Sequence, residues 1–201
     1  LHYVANPAAA RLATQRTRTV GVVVPTLSSW YHGQVLGDIA DVVAEEGFDL
    51  LPYVVGGVGE REAFIAALPF RKRVDGLVLV DLPFDDAALD RLAGTDAAIV
   101  SLGIDQPPFP SVTVDNVVGA RTAARHLLTL GHRRIGLING PESFPFVVPH
   151  QRQKGFEMAM RDAGVEPDPS LYASGHFTIQ DGADAVRTLL DRDDPPTAIF
   201  S

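Results

Sequence analysis

The run Val20 to Val24, VGVVV, constrains the fold most strongly, because it is apolar without interruption and ends at Pro25. A strand with one solvated face alternates apolar and polar residues, whereas an unbroken β-branched run is typical of a strand buried on both faces of a parallel sheet. Residues 31–46 then carry apolar side chains at helical spacing and stop at Gly47, a good helix terminator. Because parallel strands need a crossover connection, the two segments together predict a βαβ unit.

The same alternation continues along the chain. Further strands are predicted over 48–55, 76–80, 97–101, 112–114, 134–138, 171–175 and 197–201. Helices are predicted over 60–68, 85–92, 117–130, 151–163 and 179–190. Pro52 favours an edge position for its strand, because proline has no N–H to give to a neighbour. The pattern therefore predicts an α/β fold with parallel sheets, in two units that meet in the proline-rich stretch 105–112.

Composition narrows the environment and the partners. The 201 residues include no cysteine and no apolar run of membrane-spanning length, which favours a cytoplasmic protein away from the membrane. The net charge of −8 argues against a nucleic-acid surface over most of the molecule. Residues 1–19, however, carry Arg11, Arg16 and Arg18 and no acid, so this arm is expected to meet a partner that the acidic body does not.

Three segments occur in order along the chain: YVANPAAARLATQRTRTVGVVVP, VDNVVGARTAARHLLTLGHRRIGLINGP and RQKGFEMAMRDAGV. Together they resemble the lactose-repressor (LacI/GalR) family of bacterial transcriptional regulators, and the resemblance covers essentially the whole chain. It implies a core of periplasmic-binding-protein type with two Rossmann-like subdomains. Residues 1–19 would end the DNA-binding headpiece and form the hinge helix, 20–111 the N-subdomain and 112–201 an incomplete C-subdomain. The chain is thus expected to be truncated at both ends.

The hinge has its own local signals. Asn6 can cap a helix that has Pro7 at its first position. In the family such a helix lies in the minor groove, where a leucine at the position of Leu12 wedges between base steps. Arg11 stands one place after the usual arginine. An ordinary linker helix is the alternative.

Effector contacts are expected after the first strand, because ligands of α/β sheets bind outside the carboxyl ends of strands. Tyr31 and His32 stand where the family has aromatics that face the effector, and Trp30 replaces a common proline. Tyrosine offers a ring and a hydroxyl, and histidine offers a donor or an acceptor. A surface turn with one residue packed inward is the alternative.

The remaining candidates lie further along. Arg152 matches the effector-binding arginine of the family, and its guanidinium can hold two vicinal oxygens or a carboxylate; a salt bridge along the helix face is the alternative. Phe177 matches a stacking aromatic, Phe146 stands where relatives vary, and either could be a core residue. Asp81 could accept hydroxyl hydrogen bonds or cap the turn at Pro83. Many relatives carry an aspartate at Gly103.

The sequence contains no motif that indicates an enzyme, a metal site or a phosphate-binding loop. The chain lacks G-x-S-x-G, a Walker A motif and metal-ligand spacing, and GGVGERE (56–62) lacks the third glycine of a phosphate loop. His126 is expected to be packed among apolar neighbours. The resemblance thus implies a regulator, not an enzyme, that needs no metal or cofactor. It would bind a sugar or related metabolite between its subdomains and operator DNA through the headpiece and hinge, as a homodimer. The alternative is a solute-binding protein with the same core.

Overall fold

The computed structural model describes residues 16–140, 147–175 and 177–201. The chain divides into two compact units, Leu1–Val112 and Thr113–Ser201. Strands and helices alternate in each unit and all paired strands are parallel, so the predicted α/β class is confirmed.

The first unit contains one parallel sheet in the order β2-β1-β3-β4-β5. Its strands are β1 (Thr19–Val24), β2 (Asp49–Val54), β3 (Gly76–Val80), β4 (Ala98–Leu102) and β5 (Ser111–Val112). Its helices are α1 (Trp30–Glu45), α2 (Val58–Ala67) and α3 (Asp86–Ala93).

Strand β1 lies inside this sheet with both faces covered. Val23 belongs to a core cluster with Leu77 and Phe70, whereas Val22 and Val24 face a second cluster against which the apolar side of α1 packs. The uninterrupted VGVVV run has the double burial that its composition predicted. Strand β2 is at the sheet edge, so the edge position predicted from Pro52 is confirmed.

The second unit contains a parallel sheet in the order β7-β6-β8. Its elements are α4 (Asn116–Thr129), β6 (Ile135–Asn139), α5 (Val147–Asp162), a 3-10 turn (Pro169–Leu171), β7 (Tyr172–Ser174), α6 (Ile179–Leu190) and β8 (Ala198–Phe200). Helix α5 packs closely against α4, and Phe156 of α5 is fully buried beneath β6 and β8.

A basic elbow joins α4 to β6. Gly131 adopts a left-handed φ of 94° that ends the helix. Arg133 then donates through Nη1 to the carbonyl of Leu128 (2.9 Å), which satisfies one of the last helical acceptors. Arg134 donates through Nε to the carbonyl of Asp194 (2.9 Å), in the loop before β8, the parallel neighbour of β6. The arginines therefore hold a sharp helix-to-strand return in place.

Several predicted boundaries differ from those of the structure, and two of the differences have an identifiable cause. The strand expected over 112–114 is Ser111–Val112, because its partner β4 ends at Leu102 and the chain turns at Gly103, which has a φ of 88°. Helix α5 begins at Val147 and not at 151. Pro149 lies in its first turn, where the missing N–H would have had no helical partner.

Candidate functional site

The carboxyl edge of the first sheet brings Tyr31, His32 and Asp81 together. Tyr31 and His32 are in the first turn of α1, after β1, and Asp81 directly follows β3, the parallel neighbour of β1. The Nε2 of His32 lies 3.4 Å from Oδ2 of Asp81, with side-chain exposures of 10% and 14%. The Tyr31 ring meets the imidazole edge-on with centroids 5.3 Å apart. This group is called the His32–Asp81 cluster below.

The imidazole of His32 is buried with unsatisfied polar atoms. Neither ring nitrogen has a hydrogen-bond partner in the described part of the chain, since the approach to Asp81 is close enough for ion pairing but not directed as a hydrogen bond. A buried polar atom without a partner costs about 1–3 kcal/mol. A bound hydroxyl would remove that cost, so the cluster is suited to a polyol.

The Asp81 carboxylate occupies space that a side chain at position 103 would need. A Cβ built on Gly103 would lie 1.8 Å from Oδ1 of Asp81, and Gly103 has a φ of 88°. Asp81 itself has a φ of 52°, and its N–H donates to the carbonyl of Leu102 (2.9 Å). The absent side chain at 103 therefore allows the carboxylate of Asp81 to lie there.

The turn after Asp81 is held by side chains that the sequence analysis missed. Gln106 is buried; its Oε1 accepts from the N–H of Phe84 (2.8 Å) and its Nε2 donates to the carbonyl of Leu82 (3.0 Å). Buried Arg61 donates to the carbonyl of Pro83 (3.2 Å). Among the described residues, no N–H of this turn donates to the Asp81 carboxylate, so the carboxylate is not the turn cap.

The glycine-rich loop before α2 is closed to phosphate. The Oε2 of Glu60 accepts hydrogen bonds from the N–H groups of Gly56 (2.8 Å) and Gly57 (3.0 Å), and these bonds lower the pKa of Glu60. A phosphate would need those same amides.

A cavity of about 150 Å³ in the second unit brings Arg152 and Phe177 together. Asn139 and Gly140 at the end of β6 also line it, as does Ser201 after β8. The cavity thus lies at the carboxyl edge of the second sheet, where ligands of parallel sheets bind. It is called the Arg152 cavity below.

Arg152 is exposed and oriented by an amide instead of an acid. Its Nε donates to Oδ1 of Asn116 (3.2 Å), and Asn116 is held in turn by the carbonyl of Val114 (3.1 Å) and Oε1 of Gln151 (3.3 Å). No carboxylate of the described residues forms an ion pair with this guanidinium. The arrangement differs from a helix-face salt bridge, the alternative for this residue, and keeps the charge available for a ligand oxygen.

Phe177 packs on Gly140 without being buried in the core. A Cβ on Gly140 would lie 2.5 Å from the Cζ of Phe177, so the glycine allows the ring to lie on the backbone after β6. The side chain remains half-exposed, and the residue adopts a φ of 62°. The exposed part of the ring offers a surface on which a sugar ring can stack.

A hydrogen-bonded chain that the sequence analysis missed leads inward from this cavity. Asn139 Nδ2 donates to Gln153 (3.1 Å), Gln153 Nε2 to Glu157 (2.9 Å) and Tyr172 OH to the same Oε1 of Glu157 (3.1 Å). Burial raises the pKa of Glu157, but these bonds and Arg161 lower it below the ordinary value overall. Burial and then Glu157 raise the pKa of Tyr172. The signal was present as Gln153 and Glu157, four residues apart on one helix.

The other predicted site residues, Asn6, Arg11, Leu12 and Phe146, lie outside the described residues. His126 is exposed, so the prediction that it is packed was wrong. No group of three or more His, Asp or Glu suited to a metal occurs within residues 16–140, 147–175 and 177–201. None of the helices in these ranges is long and apolar enough to cross a membrane.

Comparison with known proteins gives one consistent result. Residues 17–201 match the family model described as periplasmic binding proteins and sugar binding domain of LacI family. The chain is 30% identical over 200 residues to the HTH-type transcriptional repressor CytR of Escherichia coli, covering 98% of this chain and 58% of the relative. It is 34% identical to the HTH-type transcriptional regulator CelR of Thermobifida fusca, covering 100% and 61%.

Solved structures of regulators are also similar to this chain. A structure described as a transcriptional regulator CelR–cellobiose complex matches with a TM-score of 0.71 and 32% identity over 96% of this chain and 62% of that one. A LacI-family regulator from Sanguibacter keddieii matches with a TM-score of 0.73 and 29% identity over 92% and 66%. The chain spans about three fifths of the length of the curated relatives that it matches.

Proposed function

Since the chain belongs to the LacI family, we propose that it is the effector-binding core of a DNA-binding transcriptional regulator, a repressor that responds to a sugar or a related small metabolite. The observation that carries the proposal is the family match over residues 17–201, joined to relatives that are named as HTH-type regulators. The side-chain clusters at the two sheet edges supply the effector chemistry.

The two clusters offer complementary contacts to a carbohydrate. In the His32–Asp81 cluster, the carboxylate accepts hydrogen bonds from ligand hydroxyls, and a ligand hydroxyl satisfies a buried nitrogen of the imidazole. In the Arg152 cavity, the guanidinium holds adjacent oxygens and Phe177 covers the apolar face of the ring. We propose that each cluster contacts the effector. The CelR–cellobiose complex, a disaccharide complex of a similar protein, supports this choice of ligand class.

DNA binding is proposed to need the hinge residues Asn6, Arg11 and Leu12, and operator symmetry calls for a homodimer. Exposed aliphatic side chains on the first unit support a dimer, because Val42 on α1 and Val54 at the end of β2 are 62% and 52% exposed. Such a regulator would act in the cytoplasm, where its operator is.

The first experiment tests the two halves of the proposal separately. The full-length protein is incubated with fragmented genomic DNA, retained fragments are sequenced, and binding of a panel of mono- and disaccharides that includes cellobiose is measured by calorimetry. We expect retained fragments to share a two-fold symmetric site and one saccharide to bind and change operator affinity. No retained site would refute the regulator and favour a solute-binding protein, the other class in the family description. If the protein binds an operator site but none of the saccharides, the proposal that the effector is a sugar would be refuted.

Arg152→Ala tests the effector role. We expect it to abolish the saccharide response while operator binding persists, because Arg152 supplies the oriented cation of the cavity. Lys154→Ala, an exposed cation two residues along the same helix, is the matched control and should change neither property. Unchanged saccharide affinity of Arg152→Ala would contradict the assignment.

Leu12→Ala tests the hinge role. We expect weaker operator binding in a gel-shift assay and an unchanged saccharide affinity, because the wedge contacts only DNA. Equal operator affinity of variant and wild type would refute the role.

A further inference from the structure

We propose that the exposed basic turn Arg71–Arg73 contacts operator phosphates beside the hinge, so that the core itself adds to DNA affinity; the inference rests on the proposed function. The turn connects α2 to β3. Strands β1 and β3 are parallel neighbours with Val20 opposite Gly76, so both begin at the same edge of the sheet. The basic turn therefore lies at the edge where residues 16–18 enter the core.

Hydrogen bonds fix this entry segment to the loop after the basic turn. The Asp75 carboxylate accepts from the N–H of Thr17 (2.7 Å), the hydroxyl of Thr17 (2.9 Å) and the N–H of Arg18 (2.8 Å). Arg16, Arg71 and Lys72 line one hollow of about 740 Å³ at this edge. These three bonds to the Asp75 carboxylate are called the Asp75 clamp below.

Chain length brings DNA to the same edge. The hinge segment expected over residues 6–13 ends three residues before Arg16, and three extended residues span at most about 11 Å. DNA held by that hinge must therefore pass close to the clamp. Arg71 and Lys72 line the same hollow as Arg16, so DNA near the clamp would also pass close to them.

The charge of the basic turn is uncompensated. Arg71, Lys72 and Arg73 are all exposed, and none of them forms an ion pair with a carboxylate of the described residues. Several other arginines do form such pairs: Arg121, Arg134, Arg161 and Arg187. Two acids, Asp75 and Asp96, also line the hollow. The Asp75 carboxylate already accepts the hydrogen bonds of the clamp, so Asp96 is the remaining acid of the hollow.

The backbone conformation of the basic turn does not require arginine or lysine side chains. Lys72 has a φ of 59°, a conformation that glycine or asparagine adopts at lower cost than lysine. Three successive exposed cations in a chain of net charge −8 fit an anionic partner better than a structural role. Phosphates of DNA are the anions that the neighbouring hinge would bring there.

The test compares two pairs of charge removals in the full-length protein. Arg71→Gln with Lys72→Gln removes two cations of the basic turn, and Arg125→Gln with Lys154→Gln removes two exposed cations of the second unit. Operator affinity is measured by fluorescence anisotropy on a selected duplex between 50 and 200 mM salt, the range over which phosphate contacts strongly change affinity. Thermal melts check that both variants are folded.

The slope of log affinity against log salt decides the question. Removing one phosphate-binding cation should reduce this slope by about 0.9, so the Arg71/Lys72 variant should have a slope shallower by about 1–2 and the control an unchanged one. The reduction should be similar on operator and on random DNA, because phosphates carry no sequence information. An unchanged slope, or an equal change in both variants, would overturn the inference alone. A wild-type protein that retains no DNA would overturn the proposed function and the inference with it.

Discussion

Gly155→Ala is the substitution whose effect the structure defines most sharply. Gly155 lies where α5 crosses α4, and a Cβ there would be 2.2 Å from the carbonyl oxygen of Val117 and 3.0 Å from the Cβ of Ala120. Ordinary contact needs about 3.4 Å, so the helices would have to separate by roughly 1 Å. Since the obstacle is backbone and cannot rotate away, we place the overpacking cost at about 3 kcal/mol, the upper part of its usual range.

Helix propensity opposes this cost. Alanine is favoured over glycine inside a helix by about 1 kcal/mol, which leaves a net destabilisation of about 2 kcal/mol. For a chain of this size that corresponds to a fall in Tm of roughly 4–8 °C. Arg152 lies one turn earlier on the same helix, so its 3.2 Å hydrogen bond to Asn116 should break and saccharide affinity should fall as well.

The matched control is Gly119→Ala. Gly119 is on the facing helix α4, but its added Cβ would meet nothing within 4 Å, so only the propensity gain applies and Tm should rise. Thermal melts followed by circular dichroism measure both variants. A Gly155→Ala protein whose Tm rises as much as that of Gly119→Ala would refute the close-packing argument, because the two glycines would then be equivalent.

Three further outcomes follow from single contacts. Burial raises the pKa of Asp75, but the hydrogen bonds of the clamp lower that pKa below its usual value overall. The stability that the ionised Asp75 contributes is therefore present above about pH 4, the pKa in the unfolded chain. This stability is lost as the pH falls through the pKa of the folded state. Asp75→Asn should flatten the acid side of the urea midpoint measured against pH. Gly103→Ala should displace the Asp81 carboxylate and lower both Tm and saccharide affinity, with calorimetry as the measurement. Tyr172→Phe removes a donor to partly buried Glu157 and should cost about 1 kcal/mol of unfolding free energy in urea titrations.

The fold could be predicted because its signals are local. An uninterrupted apolar strand needs cover on both faces, and Pro52 restricts its strand to an edge, whatever the rest of the chain does. The ends of strands were harder to predict, because they depend on a partner strand that is distant in sequence. Ser111–Val112 stops where β4 stops, and nothing within the predicted segment 112–114 indicates that.

The candidate site was predictable to the level of sheet edges. Placing ligand residues after parallel strands predicted the neighbourhood of His32 and Asp81. It could not reveal that buried Gln106 holds the turn after Asp81, because that contact joins residues more than twenty positions apart. It also could not assign His126, since an apolar neighbourhood in sequence does not fix the side of a helix that faces the core.

Strands β1 and β3 connect the His32–Asp81 cluster to the Asp75 clamp. Their carboxyl ends lead to His32 and Asp81, and their amino ends to Thr17 and Asp75 of the clamp. Both strands contain fully buried residues, and five to six residues of strand span about 17–20 Å. A displacement of Asp81 by a saccharide should thus move the clamp that holds the entry to the hinge. A coupling of this kind between the proposed effector site and the operator would have to be reciprocal.

Asp75→Asn tests that path without changing any of the proposed effector residues. In the full-length protein we expect saccharide affinity without DNA to be unchanged, while the saccharide-induced change in operator affinity shrinks by about 0.5–2 kcal/mol. Asp90→Asn, an exposed acid on α3 of the same unit, is the matched control and should leave both quantities unchanged. Anisotropy titrations with and without saccharide measure the change. If Asp75→Asn keeps the full response, the strands do not carry the signal through the clamp, because a clamp deprived of its charge would have weakened it.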